Sequence, residues 1–254
     1  EDVQESQGYA YALLPYLMII LWKLLERFNI FRLAFTVLSF VMLLLLGARG
    51  PILGPISFLA LYLVICKKLY KKIGWLLVVV GAFMLVLVYL EQILDFLLEF
   101  AGDIGYSTRI FEMFAEGEIS SEHGRDFVVD HILRALENRP FGLGLCGAEA
   151  ATSGFYAHNL FLELVATFGW GIGGIFCVSF VFFIVKGFLS CMNDTQRGFY
   201  LVLFCTSFIP LMVSGIFLRE PLLFLFIGYN IFLIDNKKRV GNVMAHKHIS
   251  ESQL

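Results

Sequence analysis

The sequence contains little charge for its length. Asp, Glu, Lys and Arg together make up only 16% of the 254 residues, whereas hydrophobic residues make up 59%. A water-soluble fold could not cover so much apolar surface, and a disordered chain would need the opposite composition. Both classes are therefore excluded, and the composition predicts a polytopic membrane protein.

Cysteine is scarce as well. The chain has five cysteines, an odd number, and they are scattered along the sequence. Such a set is typical of packing residues rather than of a disulfide framework. The sequence also lacks a Walker loop, a cysteine pair and a nucleophile elbow, and its histidines have no convincing metal-ligand spacing. We therefore expect no metal and no cofactor, and nothing in the sequence indicates a nucleic-acid partner.

Long apolar runs are what the sequence does contain. A helix needs about 20 apolar residues to cross about 30 Å of hydrocarbon. Seven runs qualify or nearly do: 8–25, 30–46, 52–66, 73–90, 159–185, 198–217 and 221–234. The fifth carries four glycines between residues 169 and 174, and it is either one tilted helix or a half-helix followed by a full one. We expect an all-α bundle with about seven transmembrane helices.

The basic residues predict the orientation of these helices. With the N-terminus outside, the inner segments hold thirteen lysines and arginines and the outer segments hold six, as the positive-inside rule requires. All six outer cations are arginines: Arg49, Arg109, Arg125, Arg134, Arg139 and Arg219. Arginine differs from lysine in carrying a planar fork that matches phosphate oxygens.

The predicted organisation has four parts. Residues 1–90 form transmembrane helices 1–4, residues 91–157 an extracytoplasmic loop, residues 158–234 helices 5–7, and residues 235–254 a cytoplasmic tail that we expect to be disordered. The loop carries twelve acids against four arginines, a net charge of −8. Within it, an apolar face with helical spacing predicts an amphipathic helix over about 124–137, which Asn138, Arg139 and Pro140 would stop.

Four residues at the outer edge could carry chemistry. Arg49 lies between glycines in a tight turn, where a ligand could approach or the side chain could extend to the outer headgroups. Arg125 begins the loop helix, where it could bind an anion or pair with a neighbouring acid. His158 lies where the loop meets a membrane helix, and its imidazole could exchange a proton or simply anchor the helix. Glu163, about one turn further in, could orient His158 or bind a polar substrate.

These residues fall within motifs that together resemble the O-antigen ligase/polymerase superfamily. The motifs are Gly124-Arg125, Pro140-Phe141-Gly142-Leu143-Gly144, and His158-Asn159 followed by Leu162-Glu163. Ala48-Arg49-Gly50 is a weaker match, with alanine where the family usually has serine. The glutamate after the His-Asn pair and the acidic loop resemble O-antigen and capsule polymerases more than ligases. Relative to the family, we expect this chain to lack the first several helices.

The resemblance implies a glycosyltransferase of GT-C-like fold that uses undecaprenyl-pyrophosphate-linked sugars on the outer face of the bacterial inner membrane. It implies that Arg49 and Arg125 bind the donor pyrophosphate and that His158 accepts the proton of the attacking hydroxyl. Further substrate contacts are expected from Arg139, Arg219, Asn159, Glu163, Gly142 and Gly144. The expected reaction joins oligosaccharide repeat units, and the expected partners are lipid-linked glycans, membrane lipids, a chain-length regulator and a flippase.

Three other functions remain open. A ligase would keep the fold and transfer finished glycan to lipid A or to a protein. A transporter of the same lipid-linked glycan would place polar groups near the bilayer midplane, whereas here they concentrate at the outer edge. A structural scaffold would not require arginines at three separate outer turns. We therefore rank a polymerase first and a ligase second.

Overall fold

The computed structural model describes residues 2–46, 49–65, 74, 123–213 and 216–251. The regular elements within these ranges are all helical: α1 (Asp2–Glu26), α2 (Ile30–Leu45), α3 (Arg49–Ile65), α4 (His123–Asn138), α5 (Gly147–Ala151), α6 (Leu160–Leu189), α7 (Asp194–Leu211), a 3₁₀ turn (Phe217–Arg219) and α8 (Pro221–Glu251). The chain forms two compact units, residues 1–123 and 124–254. The fourth predicted run, 73–90, lies outside the described residues apart from residue 74.

The first unit contains α1, α2 and α3. Asn29 caps α2, and its Oδ1 accepts hydrogen bonds from the backbone N–H groups of Phe31 (2.8 Å) and Arg32 (3.4 Å). Arg32 in turn donates through Nη1 to the carbonyls of Lys23 (2.9 Å) and Arg27 (3.2 Å) near the end of α1. Because helix ends leave such backbone groups unpaired, these bonds close a tight α1–α2 hairpin.

Apolar side chains cover the outside of these helices as well as the inside. Leu14 of α1 is fully buried, whereas Phe31 of α2 is 72% exposed. Within the described part of the chain, two segments are long and apolar enough to cross a membrane, Gly8–Glu26 and Leu160–Leu189, and two apolar helices are shorter, Ile30–Leu45 and Gly50–Ile65. Exposed apolar surface of this kind fits contact with a membrane, so the residues that the structure describes fit an all-α membrane protein.

The second unit begins with α4, which confirms the predicted loop helix. Its buried face consists of Val128, Ile132 and Leu136, spaced four residues apart. This face packs against small residues from α5, from the following loop and from α6, namely Ala148, Ala157 and Ala166. The helix ends at Asn138, shortly before Pro140, because a proline disfavours helical geometry at the residue that precedes it.

The rest of the second unit is built from α6, α7 and α8. Asn193 caps α7, and its Oδ1 accepts from the N–H of Gln196 (2.8 Å). Tyr200 of α7 is buried and donates to the carbonyl of Ile184 in α6 (2.7 Å). Its ring packs on Phe226 of α8, with centroids 5.2 Å apart. The three helices therefore share one core around Tyr200.

The last helix corrects one prediction. The tail at 235–254 was expected to be disordered, but α8 continues from Pro221 as far as Glu251. Arg239 Nε and Asp235 Oδ2 are one turn apart in the sequence and 2.8 Å apart in space, a pairing that favours helix. The expectation was wrong because a polar composition is compatible with a solvated helix as well as with a disordered segment.

Candidate functional site

The turn at residues 140–144 is hydrogen-bonded to the middle of α6. This helix is broken at Gly169, whose φ of 79° and ψ of 174° are not helical. The Trp170 N–H, which a regular helix would direct to the carbonyl of Ala166, donates instead to the carbonyl of Pro140 (3.1 Å). The released Ala166 carbonyl accepts from the N–H of Leu143 (2.7 Å). The turn thus replaces the hydrogen bonds that the break removes, and α6 is a half-helix followed by a longer one.

Two glycines make this contact possible. A Cβ atom on Gly142, which has a φ of 106°, would lie 2.5 Å from the carbonyl oxygen of Thr167. A Cβ atom on Gly169 would overlap the carbonyl oxygen of Pro140. Gly144 has a φ of 82° and open space beside it, and its N–H donates to the Thr167 carbonyl (3.2 Å). Gly142 therefore has a structural role against α6, while substrate binding by Gly142 and Gly144 stays a prediction.

His158 and Asn159 lie at the start of α6. The Oδ1 atom of Asn159 accepts from the N–H groups of Phe161 (3.0 Å) and Leu162 (3.1 Å) and so caps the helix. His158 has a φ of 54° and packs its ring against that of Tyr156, with centroids 4.0 Å apart. A positive φ in a residue other than glycine is uncommon and concentrates at functional sites. The geometry marks His158 as a constrained residue, and its expected role toward a substrate stays a prediction.

Glu163 lies one turn into α6 and reaches a distant segment of the chain. Its Oε2 accepts from the N–H of Phe217 (3.3 Å), the first residue of the 3₁₀ turn before α8. Asn159 also reaches this region, since its Nδ2 donates to the carbonyl of Met212 just beyond α7 (3.3 Å). The motif that begins α6 is therefore bonded at two points to the segment between α7 and α8.

A small cleft of about 20 Å³ opens beside this motif within the second unit. Its polar lining comes from separate parts of the chain, with Glu149 from α5, Tyr156 from the following loop, and Glu163 and Thr167 from α6. Carboxylates accept hydrogen bonds from hydroxyl groups, and a tyrosine ring offers a flat apolar face. The lining therefore suits a single hydroxyl group, such as one carried by a sugar, and disfavours an anion.

Two of these lining residues, Glu149 and Tyr156, are not among the site residues predicted from the sequence. Tyr156 could have been noticed from its position two residues before His158. Glu149 is one of twelve acids in the segment 91–157 and belongs to none of the motifs described above. Only the packing of α5 beside α6 shows that Glu149 lines the cleft.

The predicted arginines lie in different parts of the structure. Arg49 is the first residue of α3 in the first unit, and Arg125 lies in the first turn of α4 in the second unit; the side chains of both lie outside the described residues. Arg139 follows α4 and Arg219 ends the 3₁₀ turn, and both are exposed. A common site for Arg49, Arg125 and His158 therefore stays a prediction.

The ionisable groups around the 3₁₀ turn Phe217–Arg219 differ in their exposure to solvent. Arg219 is exposed, whereas Glu220 is half-buried, and burial raises the pKa of the Glu220 carboxyl above its ordinary value of 4.5. In the ranges that the structure describes, no group of three or more His, Cys, Asp or Glu side chains could hold a metal ion. The described groups can perform two kinds of chemistry. Carboxylates can accept hydrogen bonds, and an imidazole can transfer a proton.

Comparison with known proteins identifies the family. The family model described as O-antigen ligase matches residues 34–178, which is more than half of the chain. The matched range includes Arg49, α4, the turn at residues 140–144 and the motif that begins α6. No curated protein and no solved structure matches the chain. The resemblance to the O-antigen ligase/polymerase superfamily is thereby confirmed, and the chain belongs to the O-antigen ligase family of glycosyltransferase-like enzymes.

Proposed function

We propose that this protein polymerises undecaprenyl-pyrophosphate-linked oligosaccharide repeat units into O-antigen or capsular polysaccharide. The observation that carries the proposal is the cleft beside the His158-Asn159 motif, which carboxylates and a tyrosine line. Tyr156 lines this cleft, and its ring is in contact with the ring of His158. A sugar hydroxyl held in the cleft would therefore lie close to an imidazole that can accept its proton.

The proposed reaction transfers the growing polymer from one lipid carrier to a new repeat unit on another. The acceptor hydroxyl attacks the anomeric carbon of the donor sugar, the bond from that carbon to the pyrophosphate oxygen breaks, and the bonding electrons leave with the lipid pyrophosphate. His158 takes the hydroxyl proton, since an imidazole titrates near neutral pH. Arg49 and Arg125 bind the pyrophosphate and neutralise its developing charge. Arg139 and Arg219 are further candidates for this contact.

The charge around the cleft indicates that the acids and the arginines bind different parts of the substrate. The segment 91–157 has a net charge of −8, and Glu149 and Glu163 line the same cleft. Such a cleft repels a pyrophosphate group, whereas a neutral sugar can donate a hydroxyl to the carboxylate of Glu149. We therefore assign a sugar hydroxyl to the cleft and the pyrophosphate to the arginines.

The proposed location is the bacterial inner membrane, with residues 91–157 on the extracytoplasmic side. The excess of lysine and arginine in the opposite segments supports this orientation. Lipid-linked repeat units need a flippase to reach that face, and a chain-length regulator would act on the growing polymer there. These two proteins, together with the lipid-linked glycans and membrane lipids, are the proposed partners, and no cofactor is proposed.

An O-antigen ligase, or a protein O-oligosaccharyltransferase, is the second candidate function. The description of the matched family favours it. Moreover, the glutamate that favours a polymerase has a structural explanation, because Glu163 accepts a hydrogen bond from the backbone of Phe217. The two functions share a donor and differ in the acceptor, so their glycan products distinguish them.

Complementation of a strain that lacks its own polymerase tests the proposal. The full-length protein is compared with His158→Ala by the glycan ladder on a gel. His131→Ala is the matched control, because His131 lies on α4 with its Nδ1 at 2.8 Å from the carbonyl of Phe127. A ladder that collapses to a single repeat unit in His158→Ala alone supports the polymerase. If the unmodified protein restores no ladder in this strain but restores surface glycan in a strain that lacks its ligase, the function is that of a ligase. An unchanged ladder in His158→Ala overturns the role of His158.

A further inference from the structure

The 3₁₀ turn Phe217–Arg219 lacks a local cap. Ile216 occupies its N-cap position and makes no side-chain cap hydrogen bond. The N–H groups at the start of a helix have no partner within the helix itself. The Phe217 N–H is bonded instead to Oε2 of Glu163 at 3.3 Å. Glu163 of α6 therefore caps a turn that lies 54 residues away in the sequence.

This turn forms one side of the cleft and ends at Arg219. Phe217 and Leu218 line the cleft, and the Arg219 N–H donates to the carbonyl of Ile216 (3.0 Å). The backbone position of Arg219 consequently follows the position of the turn. An arginine on a fixed backbone loses less freedom when it binds a ligand than one on a mobile segment.

We infer that Glu163 is a positioning residue that holds Arg219 beside the cleft, where its guanidinium contacts the pyrophosphate of the lipid-linked substrate. This inference rests on the proposed function and deepens it. It also changes the role expected of Glu163, because one of its carboxylate oxygens is engaged with Phe217. Displacement of a binding group by about 1 Å can slow a reaction by about 100-fold, so loss of Glu163 acts on the reaction through Arg219.

The hydrogen bond can be removed without changing Glu163. Phe217→Pro eliminates the N–H donor, and proline is well tolerated at the first position of a helix. The preceding residue is already compatible, since Ile216 has a φ of −118° and a ψ of 124°, in the region that proline imposes on its predecessor. Phe217→Ala is the matched control, because it removes the same aromatic ring and keeps the N–H.

The readout is the rate of polymerisation by the full-length protein in lipid vesicles, with the host's undecaprenyl-pyrophosphate-linked repeat unit as substrate. We expect the rate of Phe217→Pro to be about tenfold or more below that of Phe217→Ala. We expect Glu163→Ala to lower the rate by a similar factor relative to the unmodified protein. Glu163→Gln restores most of the rate that Glu163→Ala loses, because the amide oxygen still accepts the hydrogen bond. Glu163→Ala combined with Arg219→Ala is no more than about twofold slower than Arg219→Ala alone, since both act through one contact.

Three outcomes would overturn the inference. Equal rates for Phe217→Pro and Phe217→Ala, or additive losses in the Glu163 and Arg219 double variant, would make Glu163 a direct substrate contact. Full activity of Arg219→Ala would leave the turn without a role in binding. Rates are normalised to the folded protein recovered by size-exclusion chromatography, so a stability loss does not imitate a positioning loss. The proposed function fails separately, if His158→Ala and Arg125→Ala both keep full activity.

Discussion

The amide nitrogen of Trp170 donates its hydrogen bond to the carbonyl of Pro140, 3.1 Å away, rather than to a carbonyl of its own helix. This exchange joins the turn that follows α4 to the break in α6. Both segments belong to the range matched by the family model. The first half of α6 begins directly after the His158-Asn159 pair. Its C-terminal end is therefore fixed by hydrogen bonds to the turn at residues 140–144 and not by the second half of α6.

We expect Gly142→Ala and Gly169→Ala each to destabilise the protein. Both glycines have a positive φ, and an added Cβ would meet backbone atoms of the other segment. The unfavourable φ alone costs about 1–3 kcal/mol, and the displaced backbone adds to this loss. Thermal unfolding of the purified protein in detergent measures the change.

Gly174→Ala is the control for these variants, since Gly174 lies in the same helix and has nothing within 4 Å of its Cβ position. It should be neutral or slightly stabilising, because alanine favours helix. Gly144→Ala should fall between the two cases, with a positive φ but open space. If Gly142→Ala is as stable as Gly174→Ala, the described contact between the turn and α6 is wrong.

Asn159→Ala should lower both stability and activity. It removes the cap of α6 and the hydrogen bond to Met212, and loss of a cap costs about 1 kcal/mol. Asn159→Asp keeps the capping oxygen and loses the donor to Met212, so it separates the two effects. Asn193→Ala, which removes the cap of α7, should reduce Tm to a similar degree and leave the glycan ladder unchanged. A normal ladder in Asn159→Ala would limit Asn159 to a structural role.

Arg125→Ala should abolish polymer, and Arg125→Lys should restore little of it. An ammonium group cannot reproduce the bidentate fork of a guanidinium, and loss of a group that stabilises the transition state costs about 100-fold or more. Arg134→Ala is the matched control, because Arg134 is exposed on the same helix and was not predicted to bind substrate. The measurement is the glycan ladder together with the amount of protein in the membrane. A lysine variant with a normal ladder would contradict phosphate binding by the fork.

Glu220→Gln should raise Tm at pH 7.5. Burial raises the pKa of this carboxyl above 4.5 in the folded protein, so the folded state binds the proton more readily than the unfolded state. The contribution of Glu220 to stability is therefore full below pH about 4.5 and is lost as the pH rises through the folded pKa. Glutamine stays neutral and avoids this loss, so the difference in Tm shrinks as the pH falls.

Glu137→Gln is the control at pH 7.5, because Glu137 is exposed on α4. At that pH its Tm should equal that of the unmodified protein, since an exposed carboxylate keeps its contact with water in the folded state. A Glu220→Gln variant with the same Tm as the parent at every pH would show that burial of this carboxyl carries no cost.

Cysteine labelling tests the proposed orientation and the burial of Cys191. In intact spheroplasts, a membrane-impermeant maleimide should label the exposed Cys146 of a variant that keeps no other cysteine. Lys238→Cys in a cysteine-free background should be labelled only after the membranes are opened. Labelling of Lys238→Cys in intact spheroplasts would reverse the orientation.

Cys191 should react slowly even in opened membranes. Burial raises the pKa of its thiol from 9.0 to about 11. At pH 8, this higher pKa lowers the fraction of reactive thiolate about 100-fold. A rate for Cys191 equal to that for Cys146 would contradict its burial.

Local patterns predicted several elements correctly. The spacing of Val128, Ile132 and Leu136 predicted α4, and Pro140 predicted where it ends. The glycines of the fifth apolar run indicated a possible break without identifying it, because a glycine allows a positive φ but does not require one. The prediction for residues 235–254 was wrong, since polarity alone does not separate a solvated helix from a disordered tail. The predicted grouping of Arg49, Arg125 and His158 stays untested.

The sequence by itself determined the class of protein and its family, because hydropathy, helical spacing and short motifs are properties of neighbouring residues. The tertiary structure alone decided which distant groups meet. It joins Glu163 to Phe217 and Trp170 to Pro140, and it brings Glu149 and Tyr156 to one cleft. Contacts of this kind depend on how the helices pack and on where one of them breaks. The periodicity of the sequence shows which face of a helix is apolar, but it does not show which helix that face contacts.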